Sequence, residues 1–421
     1  MAGSQFVALR ARVILPVSRP AIEDGAVFIS RGRIAAVGRW RELRRKAPAR
    51  VRDLGEVILL PGLVNAHCHL DYTDMAGAIP PPKNFLDWIE GIIALKAAWC
   101  YSDFAQSWLN GAMQLLRSGC TTVADIEAVS ELLPEVWTAT PLRVLSFLEL
   151  ISVRGRQRPT TLVRQAVQKV RSLPPGRSSA ALSPHALYTT NPELLKAARR
   201  ASHRARWPLT MHVAESALET EMFCHRRGPL FDWLRRNGRD MGDCGAGSPL
   251  QQLAALKLLD PNFLAVHVNQ LAPGDATLLA RARAHVVHCP RSHAYFRHAP
   301  FPFAELHAAG VNLCLGTDSL ASIGKDGRRK PVLDLFAELR AFARQQPSLA
   351  PEEFLDLVTR NAAAALGQRG QVGELTRRAH ADLLVLRSDA PLAQATETVV
   401  HTAPDLAGVM IGGAWAIEPP R

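Results

Sequence analysis

Short apolar runs alternate with longer mixed stretches along most of this chain. From Val57 onward, runs at 57–61, 120–125, 142–149, 179–184, 208–213, 263–268, 284–289 and 311–317 have the length and composition of buried strands. Between most of them lie stretches that read as helices, among them Asp103 to Arg117, Leu162 to Ser172, Pro192 to Arg206 and Pro249 to Leu259. Eight strands alternating with helices predict a closed parallel barrel whose active site lies at the C-terminal strand ends. An open doubly wound sheet would not bring the first, fifth and eighth strands to a common centre.

The flanks have a different rhythm. Phe6 to Leu9, Ala11 to Leu15, Gly25 to Ile29 and Arg33 to Gly38 read as short strands, the later ones separated by Asp24-Gly25 and Arg31-Gly32 turns. Only Arg10 divides the first two, so they can be one strand. After the barrel, Pro351 to Leu366 reads as a helix, followed by strands at Ala381 to Leu386 and Gly408 to Ile411. The expected fold is therefore α/β: a TIM-type (β/α)8 barrel at 57–370, with a small β-sandwich domain built from both termini, 1–56 and 371–421.

Composition narrows the class. The 421 residues are 48% hydrophobic and 21% charged, ordinary for a globular chain with a large core. No apolar run reaches transmembrane length, and Met1 to Phe6 lacks the basic and apolar regions of a secretory signal. Seven cysteines without paired spacing, several inside apolar runs, fit reduced thiols and a cytoplasmic location. The formal net charge is +12, but the arginines are scattered. The densest patches, Arg39 to Arg52 and Arg199 to Arg206, hold only one aromatic residue, Trp40. The expected partner is a small-molecule substrate, with neither nucleic acid nor membrane, and a homodimer is compatible.

Chemistry gathers at the strand ends. His67 and His69 lie two positions apart, so on a strand they share a side. Pro208 to Val213 contains His212, with Glu215 three residues later; Phe263 to His267 ends in histidine; Val311 to Asp318 ends in aspartate. Three histidines and a carboxylate can hold zinc or ferrous iron, leaving a histidine and a glutamate for proton transfer.

With these motifs in place, the chain resembles the amidohydrolase superfamily, nearest its aromatic-amine deaminase and chlorohydrolase branch (cytosine, guanine, adenosine or aminodeoxyfutalosine deaminase-like). The resemblance rests on Pro61-Gly62-Leu63-Val64-Asn65-Ala66-His67-Cys68-His69, His212-Val213-Ala214-Glu215, His288-Cys289-Pro290-Arg291-Ser292, Gly316-Thr317-Asp318-Ser319, Thr359 to Gly367 and Ala381 to Leu386. It implies His67, His69, His212 and Asp318 as ligands of one divalent metal ion, zinc foremost and iron the alternative. It also implies Glu215, His267 and Asp318 as the proton-handling groups. No lysine lies in the 179–184 strand to bridge a second metal; Lys169 and Lys196 fall in helices. A bound metal would supply hydroxide from water near neutral pH. Glu215 would protonate the ring nitrogen beside the attacked carbon, and ammonia would leave.

Substrate contacts are expected from His185 after the fourth strand, Glu149 near the end of the third, and Arg291 and His293 after the seventh. Trp88, in the loop Asp71 to Trp99, can stack on a planar heterocycle. Glu127 is a further polar candidate, and His288 reads as structural. The expected function is hydrolytic deamination of an amino-substituted purine, pyrimidine or aminofutalosine-type nucleoside. The alternatives are a chlorohydrolase, a cyclic-amide or imidazolone hydrolase, or a non-catalytic relative.

Overall fold

The computed structural model describes residues 6–80, 82–154, 157–324, 330–402 and 405–420. The chain changes sheets at Gly62. Val57–Pro61 pairs in parallel with Val13 and Ile14 and antiparallel with Leu383–Arg387. The run expected to open the barrel therefore belongs to the terminal sheet, and the barrel opens one segment later at Leu63–Cys68. Both segments are wholly buried, and a run buried on both faces has no polar period to say which sheet it joins. Gly62 makes the crossing possible, because a Cβ there would stand 2.1 Å from the Thr121 hydroxyl oxygen.

The barrel strands are β1 (Leu63–Cys68), β2 (Cys120–Glu127), β3 (Arg143–Leu150), β4 (Ser179–Pro184), β5 (Leu209–Val213), β6 (Phe263–His267), β7 (His285–His288) and β8 (Asn312–Leu315). Sequence neighbours are spatial neighbours throughout. Closure comes from the N–H groups of Thr317 and Asp318, which both donate to the carbonyl of His67 at 3.0 and 3.1 Å. Gly316 allows this approach, since a Cβ would meet the His67 carbonyl oxygen at 2.7 Å.

Val64, Ile126, Phe147, Leu264, Val287 and Cys314, from both halves of the barrel, form one cluster with Ala362, Ala363 and Leu366. Only a barrel interior brings such distant strands together. Because their carboxyl ends all face one way, the functional side chains project from a single rim.

The termini form a separate eight-stranded sheet that includes Val7–Ile14, Ile22–Ser30, Arg33–Arg39, Val57–Pro61, Leu383–Arg387, Asp405–Ile411 and Ala414–Ile417. Val7–Ile14 is continuous through Arg10. A buried ion pair ties the two bodies: the Arg143 guanidinium at the start of β3 donates to Asp382 at 2.6 Å.

Two local expectations change. The segment after β1 is not a plain loop but a 3-10 turn, Leu70–Met75, and a helix, Phe85–Ala98. Asn84 starts that helix, its side chain accepting the N–H groups of Leu86 and Asp87. The expected helix from Pro351 to Leu366 is two, Pro351–Leu357 and Arg360–Ala365, interrupted at Val358 and Thr359. Among the described residues, no helix is long and apolar enough to cross a membrane.

Candidate active site

His67, His69, His212, His267 and Asp318 converge on the barrel rim, all at most 6% exposed. Ligand atoms of His67, His69 and His212 lie within 4.8 Å of one another, as do those of His67, His267 and Asp318. The backbone that delivers them is strained: Ala214, His267, Val268 and Asp318 have φ of +49°, +76°, +50° and +53°. Left-handed non-glycine backbone costs on the order of 1–3 kcal/mol per residue and tends to persist where surrounding structure enforces a functional geometry.

Two of these side chains are also held from behind. Nδ1 of His212 faces the His185 carbonyl at 3.0 Å, which places the proton on Nδ1 and frees Nε2. Asp318 Oδ2 accepts the hydroxyls of Ser292 and Ser322 at 2.6 and 3.0 Å. Its Oδ1 then stands 3.5 Å from His67 Nε2 and 3.7 Å from His69 Nε2.

The donor set fits a divalent metal ion. Nε2 of His69 and Nε2 of His212 are 3.4 Å apart, about the separation of two nitrogens on one tetrahedral zinc ion. Both ring nitrogens of His67, Nδ1 of His69 and Nε2 of His267 are buried with no hydrogen-bond partner. Orphaned imidazoles are costly unless a ligand takes them up. Their electrostatics agree. Burial drives His69 and His267 well below the ordinary histidine range and His212 down to about 3, so all are neutral and available as ligands. Burial alone would raise Asp318, but His67 close beside it and the other histidines around it hold the carboxyl well below the usual range.

Glu215 sits beside this cluster, its Oε1 3.5 Å from His267 Nε2. Burial, then the carboxylates of Asp318 and Glu219, push its pKa well up. A carboxyl so perturbed keeps a proton it can donate.

A cavity of about 400 Å³ opens onto His69, His212, Glu215, His267 and Asp318. Of the expected substrate residues, it brings in His185, Trp88 and Glu149. Arg291 and His293 are not among its lining residues. Arg291 is held by Glu338, which accepts its N–H at 2.9 Å and stands 3.6 Å from its guanidinium. His293 packs on His288, His298 and Phe301. Helix Pro290–Tyr295 turns both side chains away from the rim. Glu127 is buried outside the cavity lining, its carboxylate accepting the Val129 N–H.

The cavity also contains residues that sequence reasoning passed over. Ile89, Ile92, Ile93, Ile151, Val153, Trp233 and Leu234 form an apolar side; Lys96, Tyr72, Thr189, Asn237 and Arg154 add polar groups. The missed signal was helical spacing: Trp88, Ile92 and Lys96 recur every four residues along Phe85–Ala98. Lys96 donates to the Tyr72 hydroxyl, and Tyr72 stacks on His69 with centroids 5.1 Å apart. The Glu149 side chain is only 6% exposed and lies 3.9 Å from both Lys96 Nζ and His185 Nε2.

The histidines behind the rim carry a stability prediction. Burial lowers His293 and His298 to about 4, from an unfolded value near 6.5. The unfolded chain binds these protons first, so their contribution is complete above pH 6.5 and is lost as pH falls towards 4. His293→Asn should therefore flatten the acid-side fall of Tm between pH 6.5 and 4.5. An unchanged slope in calorimetry would remove His293 from that account.

Fold and site together define a metal-dependent barrel hydrolase. The amidohydrolase family pattern matches residues 58–416, and the chain belongs to that family. Residues 25–49 match an imidazolonepropionase-like composite domain of bacteria. The chain is 30% identical over 394 residues to a 5-methylthioadenosine/S-adenosylhomocysteine deaminase of Syntrophobacter fumaroxidans, covering 86% of this chain and 80% of that one. A protein of the same name from Nitratidesulfovibrio vulgaris is 29% identical over 395 residues, covering 90% and 82%. In structure, the chain is similar to an adenosine deaminase from Xanthomonas campestris with bound zinc: TM-score 0.85, 26% identity, 98% and 93% coverage. The aminofutalosine deaminase of Helicobacter pylori shares the fold at TM-score 0.85 and 20% identity, with 97% and 100% coverage.

Proposed function

We propose that this protein is a metal-dependent hydrolytic deaminase of amino-substituted heterocycles, acting on nucleoside-sized substrates. The convergence of His67, His69, His212 and Asp318 beside a proton-bearing Glu215, at the floor of one cavity, carries this reading. A divalent ion bound by that set, zinc foremost, supplies Lewis-acid activation of water.

The chain's own residues do the rest. Asp318, fixed by Ser292 and Ser322, accepts the proton released from the attacking water. Glu215 donates its proton to the ring nitrogen next to the carbon under attack and recovers one from the adduct as it collapses, while Asp318 passes the water's proton to the departing amine. His267, 3.5 Å from Glu215, donates to the oxygen that develops charge. Trp88 and the isoleucines exclude water and cover the heterocycle, while Glu149, Lys96 and His185 offer polar contacts. The cavity volume supports a nucleoside, since sites of ~300–1,000 Å³ enclose drug-sized ligands. The deaminase relatives support the same class.

A metal-loaded preparation should release ammonia from at least one member of a panel of 5′-methylthioadenosine, S-adenosylhomocysteine, adenosine, guanine and cytosine. Elemental analysis of the same sample should find about one metal ion per chain. Chloride release from a chlorotriazine, or ring opening of a cyclic amide, with no ammonia from the panel would overturn the deaminase reading.

A further inference from the structure

Glu219 is a fully buried acid that no step above uses. It lies on helix Ala217–His225, which follows β5 and is capped by Ser216, whose hydroxyl accepts the Glu219 N–H at 3.3 Å. A glutamate three residues after a serine cap ordinarily folds back onto the N–H of the cap itself. Glu219 reaches further. Its Oε2 accepts the N–H of Glu215 at 2.9 Å, and the neighbouring N–H of Ala214 also favours the charged carboxylate.

Those two peptides form the left-handed turn that leads out of β5, with Ala214 at φ +49°. The far side of the turn is strapped as well. Asn269 Nδ2 donates to the Glu215 carbonyl at 2.9 Å, and the Gln270 N–H donates to the Ala214 carbonyl at 3.1 Å. Helix capping alone does not account for this placement. An exposed carboxylate would cap the helix without desolvation, whereas Glu219 is buried with Oε1 unpartnered. Burial also raises its pKa to about 7, against the N–H groups of Glu215 and Ala214, which lower it.

We propose that Glu219 is a positioning residue for Glu215: by holding the Ala214–Glu215 backbone in its left-handed turn, it aims the Glu215 carboxyl at His267 and the ligand cluster. The kinetic half of this inference rests on the proton-carrying role proposed for Glu215; the geometric half does not.

Two variants separate positioning from capping. Glu219→Gln keeps an acceptor oxygen at the same reach. Glu219→Asp is one methylene shorter, able to cap the helix but not to reach Glu215. Crystal structures of both should show Glu215 Oε1 within about 0.5 Å of its place near His267 in Glu219→Gln, and displaced by about 1 Å or more in Glu219→Asp. Bound metal should be unchanged in both.

With 5′-methylthioadenosine as probe, Glu219→Asp should lower kcat about 100-fold, Glu219→Gln only a few-fold, and KM should stay nearly constant. In a Glu215→Gln background, Glu219→Asp should have little further effect, because the two act on one step. An unmoved Glu215 in Glu219→Asp, or a kcat loss of equal size in both backgrounds, would reduce Glu219 to a helix cap. If the parent releases no ammonia from this probe, the panel member it does deaminate takes its place; silence across the whole panel ends the functional reading, and the crystal structures still decide the positioning.

Discussion

His212→Ala should yield a folded barrel that no longer retains metal and hydrolyses its substrate on the order of 10³-fold more slowly or worse. The remaining imidazole, His267, clusters with His67 and Asp318 and does not take the place of His212 beside His69. His212 Nε2 is the partner of His69 Nε2 at 3.4 Å, and its orientation is set by the carbonyl of His185 just past the end of the neighbouring strand. Alanine removes the nitrogen and leaves the remaining donors too few for a closed set. Elemental analysis checks the metal, and melting with and without added zinc checks the linkage. The parent should be stabilised by the ion, while the variant should respond little. Stoichiometric, tightly held metal in His212→Ala would exclude His212 from the ligand set.

Glu215→Gln should separate metal binding from chemistry. Its carboxylate faces His267 and belongs to neither of the donor clusters, so the variant should keep its metal in full. Hydrolysis should nevertheless fall by about 10²–10⁴-fold, the usual worth of a positioned acid–base group. Glutamine retains the shape and can still donate a hydrogen bond, but it cannot pass on a proton. A Glu215→Gln enzyme with parental kcat would remove Glu215 from the proton path and leave Asp318 or His267 to serve alone.

How much of this was legible beforehand depended on how local each signal was. The candidate ligand cluster was readable because each member lies at or just past the carboxyl end of a strand, and a barrel brings such ends together whatever the loops do. His67, His69, His212, His267 and Asp318 do converge. Val57–Pro61 misled for the opposite reason: a segment buried on both faces looks the same in either sheet. Its allegiance depends on Leu383–Arg387, more than 300 residues later.

Arg291 and His293 stand just past a strand end, where barrel function concentrates, yet a short helix turns them towards Glu338 and Phe301. The cavity wall from Trp88 to Lys96 was hidden by reading Asp71 to Trp99 as a loop. The Asn84 cap and the four-residue spacing that follows it were the local signals of a helix. Glu219 could not be found from sequence alone, because its pattern also describes an ordinary capping box.

The exchange of sheets at Gly62 has a consequence for the order in which the molecule can mature. The candidate ligands His67 and His69 follow shortly after a strand whose antiparallel neighbour is synthesised more than 300 residues later. At ~5–20 residues per second, the interval between synthesis of the two strands is roughly 15–65 s. Throughout that time Val57–Pro61 has an open edge, and the stem of the candidate metal site is anchored on one side only. A chain halted before Leu383–Arg387 therefore carries both histidines without the neighbouring strand that frames them.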